Sequence, residues 1–141
     1  MKEINFYGTI PEYRFLSNFH ECPQIVETEW GKHEYPTNEH FYQSMKATTK
    51  EDHELVRSQS SPYYAMKTGR KIEYRDDWED IKVFVMLKGL RAKFKDEDLR
   101  ARLLATGDAI LHEASPYDMF WGKKGADWLG KLLMQVRDEI K

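Results

Sequence analysis

A single cysteine, Cys22, stands among 141 residues. No internal disulfide can form, which fits a reducing compartment. No stretch approaches the roughly 20 consecutive apolar residues that a membrane-spanning helix needs. The N-terminus, MKEINFYG, has no apolar run of signal-peptide length. Together these absences predict a cytoplasmic protein with no membrane association. A strong charge of one sign is lacking too. The formal net charge is −2, which argues against broad electrostatic capture of nucleic acid but leaves room for a local basic patch.

Several chemical signatures are also missing. There is no GxGxxG, P-loop or GxSxG elbow, so the usual sequence signs of dinucleotide binding, of P-loop phosphate binding and of a serine nucleophile are absent. His112-Glu113 opens like the HExxH zinc motif, but Pro116 occupies the position of the second histidine. His33 and the Glu39-His40 pair lack a recognised ligand spacing, and His20 and Cys22 stand alone. The sequence predicts no metal and no cofactor.

What remains is an ordinary globular composition. Hydrophobic residues make up 40% and charged residues 33%, enough for one core in a chain of one-domain size. The segment over residues 4–10 reads as a strand closed by Pro11, and Glu12 to Phe19 as irregular. Residues 23–35 read as a hairpin turning at Trp30-Gly31-Lys32. Helices are then predicted from Thr37 to about Ala47, Lys50 to Ser58, Ser61 to Gly69, Asp77 to Phe94, Asp96 to Ala105 and Ala126 to Ile140. In the longest, Trp78, Ile81, Val85, Leu87, Leu90 and Phe94 face inward, with Val83, Phe84 and Met86 widening the stripe. In the last, Leu129, Leu132, Leu133, Val136 and Ile140 face inward. Ala109 to Ser115 is ambiguous, and Pro116 to Gly125 is a loop. No repeat or linker divides residues 1–141. The expectation is a single, mainly helical α+β domain with a small antiparallel β element near its N-terminus.

The most chemically suggestive stretch is Glu34 to Lys46, EYPTNEHFYQSMK. Pro36 pushes Tyr35 out of the α region, and Thr37 is then a good N-cap. Glu39 falls in the first turn, where the helix dipole favours a carboxylate. Gln43 and Lys46 follow one and two turns later on the same face. A polar site is one reading; a dipole-complementing acid beside a solvated lysine is the plainer one. A second stretch, Pro116-Tyr117-Asp118-Met119-Phe120-Trp121-Gly122, places an acid, three rings and a glycine in one loop. The rings could stack on a base or simply plug the loop onto the core. Trp78 reads as a pocket wall or a hydrophobic anchor, and Asn18 as a ligand contact or a turn former.

Taken in order, INFYG, RFLSNF, EYPTNEHFYQSMKA, DDWEDIKVFVM, RAKF, LLATGDAILHEAS, YDMFWG and LGKLLMQVR resemble the NADAR, or YbiA-like, superfamily over residues 4 to 137. The resemblance implies a mostly helical domain that hydrolyses N-glycosidic bonds of ribose derivatives. It implies Glu39, Asp118 and Lys46 as catalytic residues, and Phe6, Asn18, Phe19, Trp78, Trp121 and Gly122 around the substrate. An oxocarbenium-like state needs a carboxylate to stabilise it or to activate water; Glu39 is the candidate, with Asp118 orienting ribose hydroxyls or water. Lys46 would pair with Glu39 or hold a phosphate. The segment after Trp121-Gly122 is shorter than the family pattern and carries Lys123, Lys124 and Asp127. The first substrate reading is ADP-ribose on a modified base, including ADP-ribosylated nucleic acid. The second is a ribosylated small molecule, a phosphoribosyl-amino pyrimidine intermediate of riboflavin synthesis. A module that binds NAD or ADP-ribose without cleaving it is the alternative from another class.

Overall fold

Four side chains fix where helices begin. The Oγ of Thr37, Thr49 and Ser61 and a carboxylate oxygen of Asp96 each accept the backbone N–H three residues on, a cap worth about 1 kcal/mol. A computed structural model describes residues 2–141 of the chain. The fold is α+β and mainly helical. It divides into two compact units, Glu21–Lys93, and Met1–His20 with Phe94–Lys141.

In the first unit, β2 (Gln24–Thr28) and β3 (Gly31–Tyr35) form an antiparallel hairpin, with Thr28 opposite Gly31. The turn is therefore Glu29-Trp30, one residue earlier than the expected Trp30-Gly31-Lys32. Gly31 takes φ 100°, a backbone conformation that glycine adopts without a Cβ penalty. Four helices follow: α1 (Asn38–Ser44), α2 (Lys50–Arg57), α3 (Pro62–Gly69) and α4 (Trp78–Lys93). Every residue of α1 is buried, and it packs against α2, α3 and α4. His53 of α2 is also fully buried, and burial pulls its imidazole down to about 4, so it packs as a neutral ring.

The second unit pairs β1 (Glu3–Phe6) with β4 (Ile110–Glu113) in parallel, Ile4 opposite Leu111. A 3₁₀ segment, Pro11–Leu16, follows β1, and α5 (Glu97–Ala105) and α6 (Trp128–Glu139) complete the unit. α6 lies on β4. Its Leu129, Leu132, Leu133 and Val136 are buried, each contributing about 1.5–3 kcal/mol of apolar burial.

Several boundaries differ from expectation. The strand over 4–10 ends at Phe6, because Ile10 N–H bonds back to Tyr7 O in a turn. Glu12 to Phe19 is partly ordered as the 3₁₀ segment, which Pro11 opens. The helix expected to reach Ala47 stops at Ser44. Lys46 and Ala47 continue in a tighter turn, their N–H groups bonding three residues back. Phe84 is 70% exposed and does not widen the buried stripe of α4, and Ile140 is only half-buried. The ambiguous stretch after Ala109 is β4, a strand of a parallel pair that the antiparallel expectation lacked.

Candidate active site

The unit Glu21–Lys93 concentrates ionisable chemistry at α1. The start of this helix is locked. His40 Nε2 lies 2.9 Å from Gln59 O. A carbonyl can only accept, so that nitrogen carries the proton. Nδ1 then accepts from the Thr37 hydroxyl at 2.8 Å. Burial depresses the His40 pKa and holds the ring neutral. One residue earlier, Glu39 is 7% exposed, and Gln43 Nε2 donates to its Oε2 at 2.7 Å. Gln43 is itself fixed by close packing: a Cβ on Gly69 would lie 2.7 Å from Gln43 Cβ, so only glycine there lets α3 approach.

Lys46 is 6% exposed and donates to Tyr74 Oη at 3.1 Å. Its Nζ lies over three rings, 4.7 Å from the centroid of Tyr74, 5.7 Å from Tyr42 and 5.8 Å from Trp78. Burial lowers its pKa to about 8, while the nearby Glu39 carboxylate pulls it back up. The backbone holds this corner together, since Arg75 N–H bonds to Lys46 O at 2.9 Å. A pocket of ≈ 480 Å³ opens here, lined by Tyr42, Lys46, Tyr74, Arg75, Trp78 and Lys82 among others. That volume suits a small-molecule site. A second pocket of ≈ 480 Å³, around Glu29, Trp30 and Glu73, shares Tyr74, Arg75 and Asp76 but contains no residue of α1. A buried acid acting on a cation that lies over three aromatic rings is an arrangement that can act on a flat, charged substrate.

Asp118, Trp121 and Gly122 come together in the other unit. Asp118 Oδ1 accepts from the N–H groups of Phe120 at 3.0 Å and Trp121 at 2.8 Å, so one carboxylate oxygen organises its own loop. Gly122 N–H bonds to Asp118 O, and a Cβ on Gly122 would lie 3.0 Å from Glu113 Oε2. Burial lifts the Glu113 carboxyl to about 7, and Asp118 and Asp127 push it the same way. Asp127 takes φ 57° and sits 2.6 Å from His112 Nδ1. Lys123 Nζ donates to Asn5 Oδ1, and Lys124 is exposed. Phe6 is fully buried, Asn18 is buried and Phe19 is half-buried.

Glu113 provides a test of this loop. Its folded pKa is raised from 4.5 to about 7. The stability it contributes is therefore full below its unfolded value and lost as pH rises through about 7. Glu113→Gln mimics the protonated form and keeps an acceptor for Ser115 N–H. It is expected to raise Tm over wild type at alkaline pH and to change it little near pH 5. Thermal melts at both pH values read this directly.

The sequence brought Glu39, Gln43, Lys46 and Trp78 into view. It did not single out Tyr42, Tyr74, Arg75 or Lys82 as wall residues. Tyr42 lies four positions before Lys46, a spacing that would have pointed to it; Tyr74 and Arg75 lie in a charged loop that carried no signal.

The chain is similar to known proteins over nearly its whole length. The chain is 42% identical over 144 residues to N-glycosidase YbiA of Escherichia coli (strain K12), covering 97% of this chain and 88% of that protein. An N-glycosidase of Nostoc punctiforme is 37% identical, over 98% of this chain and 92% of its own length. A riboflavin biosynthesis protein of Vibrio vulnificus is 37% identical, with 98% of this chain matching only 38% of that protein. The NMR structure of the E. coli protein YbiA superposes with a TM-score of 0.87 at 40% identity, over 99% of this chain and 84% of that one. A family model described as the NADAR domain matches residues 5–141, and the chain belongs to the NADAR domain family.

Proposed function

We propose that this protein is an N-glycosidase, a hydrolase that cleaves the bond between C1 of a ribose and a nitrogen of its base. The observation that carries this reading is the buried Glu39 carboxylate, oriented by Gln43 and acting electrostatically on Lys46, which lines a pocket with Tyr42, Tyr74 and Trp78. The relatives named N-glycosidase support it. In the reaction the C1–N bond breaks through an oxocarbenium-like state. Glu39 stabilises that cation or takes the proton of the attacking water. The water oxygen bonds to C1, and the departing nitrogen leaves protonated. Tyr42, Tyr74 and Trp78 offer faces for a base, and Lys46 offers positive charge to a phosphate. By the family resemblance, Asp118 orients ribose hydroxyls or water as a catalytic residue, and Phe6, Asn18, Phe19, Trp121 and Gly122 contact the substrate.

The finer reading is removal of ADP-ribose from a modified guanine or related conjugate. Lys46, Arg75 and Lys82 line one pocket together with Asp76 and Glu79. Arg75 is ion-paired to Glu29 and Asp77, and Lys82 to Glu79, so Lys46 is the cation offered to a phosphate. The second reading, release of the base from a phosphoribosyl-amino pyrimidine, is favoured by the match to a riboflavin biosynthesis protein. Incubation with ADP-ribosylated guanine DNA and with the phosphoribosyl-amino uracil intermediate, read by mass spectrometry, separates them. Release from the first alone supports the ADP-ribosyl reading, and release from the second alone replaces it. Release from neither, with ADP-ribose still bound, makes the protein a binding module.

Lys46 gives this reading a pH signature. With its ammonium titrating at about 8, kcat/KM is expected to fall as pH rises through that value. Lys46→Arg should move the alkaline limb upward. A flat profile from pH 7 to 9 would remove the ammonium from substrate binding.

A further inference from the structure

The hairpin and α2 place a second chemical cluster away from the residues of the proposed pocket. His33 of β3 and His53 and Glu54 of α2 each offer one ligand atom, all of them within 4.8 Å of one another. His33 Nδ1 lies 3.9 Å, and His53 Nδ1 3.3 Å, from Glu54 Oε1. Two imidazole nitrogens and a carboxylate oxygen held by zinc at about 2.0–2.2 Å would stand about 3.3 Å apart in tetrahedral geometry. His53 Nδ1 and Glu54 Oε1 already stand at that spacing, and His33 must move inward to reach it.

The outer partner of His33 fixes its ring nitrogens in the required state, and that of His53 permits it. His33 Nε2 is 2.8 Å from Trp30 O. The carbonyl accepts, so Nε2 bears the proton and Nδ1 presents its lone pair to the cluster. His53 Nε2 lies 2.8 Å from Tyr35 Oη, a hydroxyl that Thr28 and Ser44 also reach. That oxygen can accept from Nε2–H while donating its own proton onward. The remaining atom, His53 Nδ1, is buried and lacks a hydrogen-bond partner, on a residue with 0% exposure. It lies near Glu54 Oε1 but outside hydrogen-bonding geometry. Such an atom destabilises the fold unless something occupies it. Arg57 donates to both Glu54 oxygens, Nε to Oε1 at 3.0 Å and Nη2 to Oε2 at 2.6 Å, which keeps the carboxylate ionised and oriented. Ring N–H groups bonded to a backbone carbonyl and a hydroxyl, and a carboxylate held by a further donor, form the outer shell that metal sites use.

We propose that His33, His53 and Glu54 bind a divalent transition ion, Zn²⁺ by the preference of this donor set, pinning the hairpin to α2. The side chains of His33 and Glu54 are 25% and 36% exposed, so water completes the coordination on that side. Trp30 stacks on the His53 ring at 5.4 Å and closes the other side.

The test uses the full chain after chelator treatment and dialysis. Wild type is expected to take up one Zn²⁺ per chain by metal analysis and calorimetry. Its Tm should rise with added Zn²⁺, since binding only the folded state stabilises it. Co²⁺ should give the intense visible bands of a tetrahedral site. His33→Ala and Glu54→Gln should each weaken Zn²⁺ binding by more than the roughly 10–100-fold that outer-shell partners contribute. His33→Ala removes a partly exposed side chain, so its metal-free melt reports that the fold persists. No stoichiometric uptake and no Tm shift in wild type would overturn the proposal. So would equal affinity in wild type and both variants, which would place the ion elsewhere.

Discussion

Glu39→Gln is expected to lower turnover by about 10³-fold or more while leaving the fold intact. The substitution keeps the shape of the side chain and removes its charge. The carbonyl of the new amide can still accept from Gln43 Nε2, which now donates to Glu39 at 2.7 Å. Stability should change little, because a neutral group in a site that is 7% exposed relieves the cost of burying a carboxylate. Substrate binding should survive, so the loss should appear in kcat with KM nearly unchanged. That split separates a residue acting on the transition state from one that only holds the substrate. Single-turnover kinetics alongside a thermal melt measure both. Retained turnover would remove Glu39 from the chemistry.

Gly89→Ala is expected to destabilise the protein by about 2–3 kcal/mol, lowering Tm by roughly 6–12 °C. Alanine is the better helix former by about 1 kcal/mol, and Gly89 sits inside α4, so propensity alone would favour the variant. Packing decides otherwise. A Cβ there would fall on Asn38 Oδ1 and lie 2.8 Å from Phe41 Cδ2, both on α1. Asn38 cannot swing away cheaply. Its Oδ1 accepts from Gln24 Nε2 at 3.0 Å, and its Nδ2 donates to Met86 Sδ. Gln24 in turn also donates to Gly89 O. Moving α4 outward would break that buried network at a cost of about 1–3 kcal/mol per orphaned group. Gly8→Ala is the control, since a Cβ at Gly8 meets nothing within 4 Å. A Gly89→Ala variant melting at or above wild type would show that α1 and α4 have slack this packing does not allow.

The parts of the fold that local chemistry governs were legible from the sequence. Thr37, Ser61 and Asp96 read as helix starts because a short side chain carries an oxygen that reaches the third N–H along. The stripe Glu39, Gln43, Lys46 was legible for the same reason of helical spacing. It held even though the α-helix ends at Ser44 and a tighter turn carries Lys46. Pairings between distant segments left little trace. β4 is four residues long and pairs in parallel with β1 from the other end of the sequence, and no turn signal marks such a pair. Tyr74 was hidden in a charged loop whose path is set by the Arg75–Lys46 backbone bond. His33, His53 and Glu54 lie on a strand and a helix, so no fixed spacing connects them. Asp118 Oδ1 accepts from two N–H groups of its own loop, a turn-forming use that aspartate often has and that sequence alone does not separate from a substrate contact.

The central claim is hydrolysis at the ribosyl C1–N bond, and heavy-oxygen water tests it most directly. Wild type is incubated with a ribosylated substrate in labelled water under single-turnover conditions, and the released sugar is analysed by mass spectrometry. The expected result is one heavy oxygen at the anomeric carbon in wild type and no released sugar from Glu39→Gln. Release of an unlabelled sugar, or label found only on a phosphate, would contradict N-glycosidic hydrolysis and place the chemistry at a different bond.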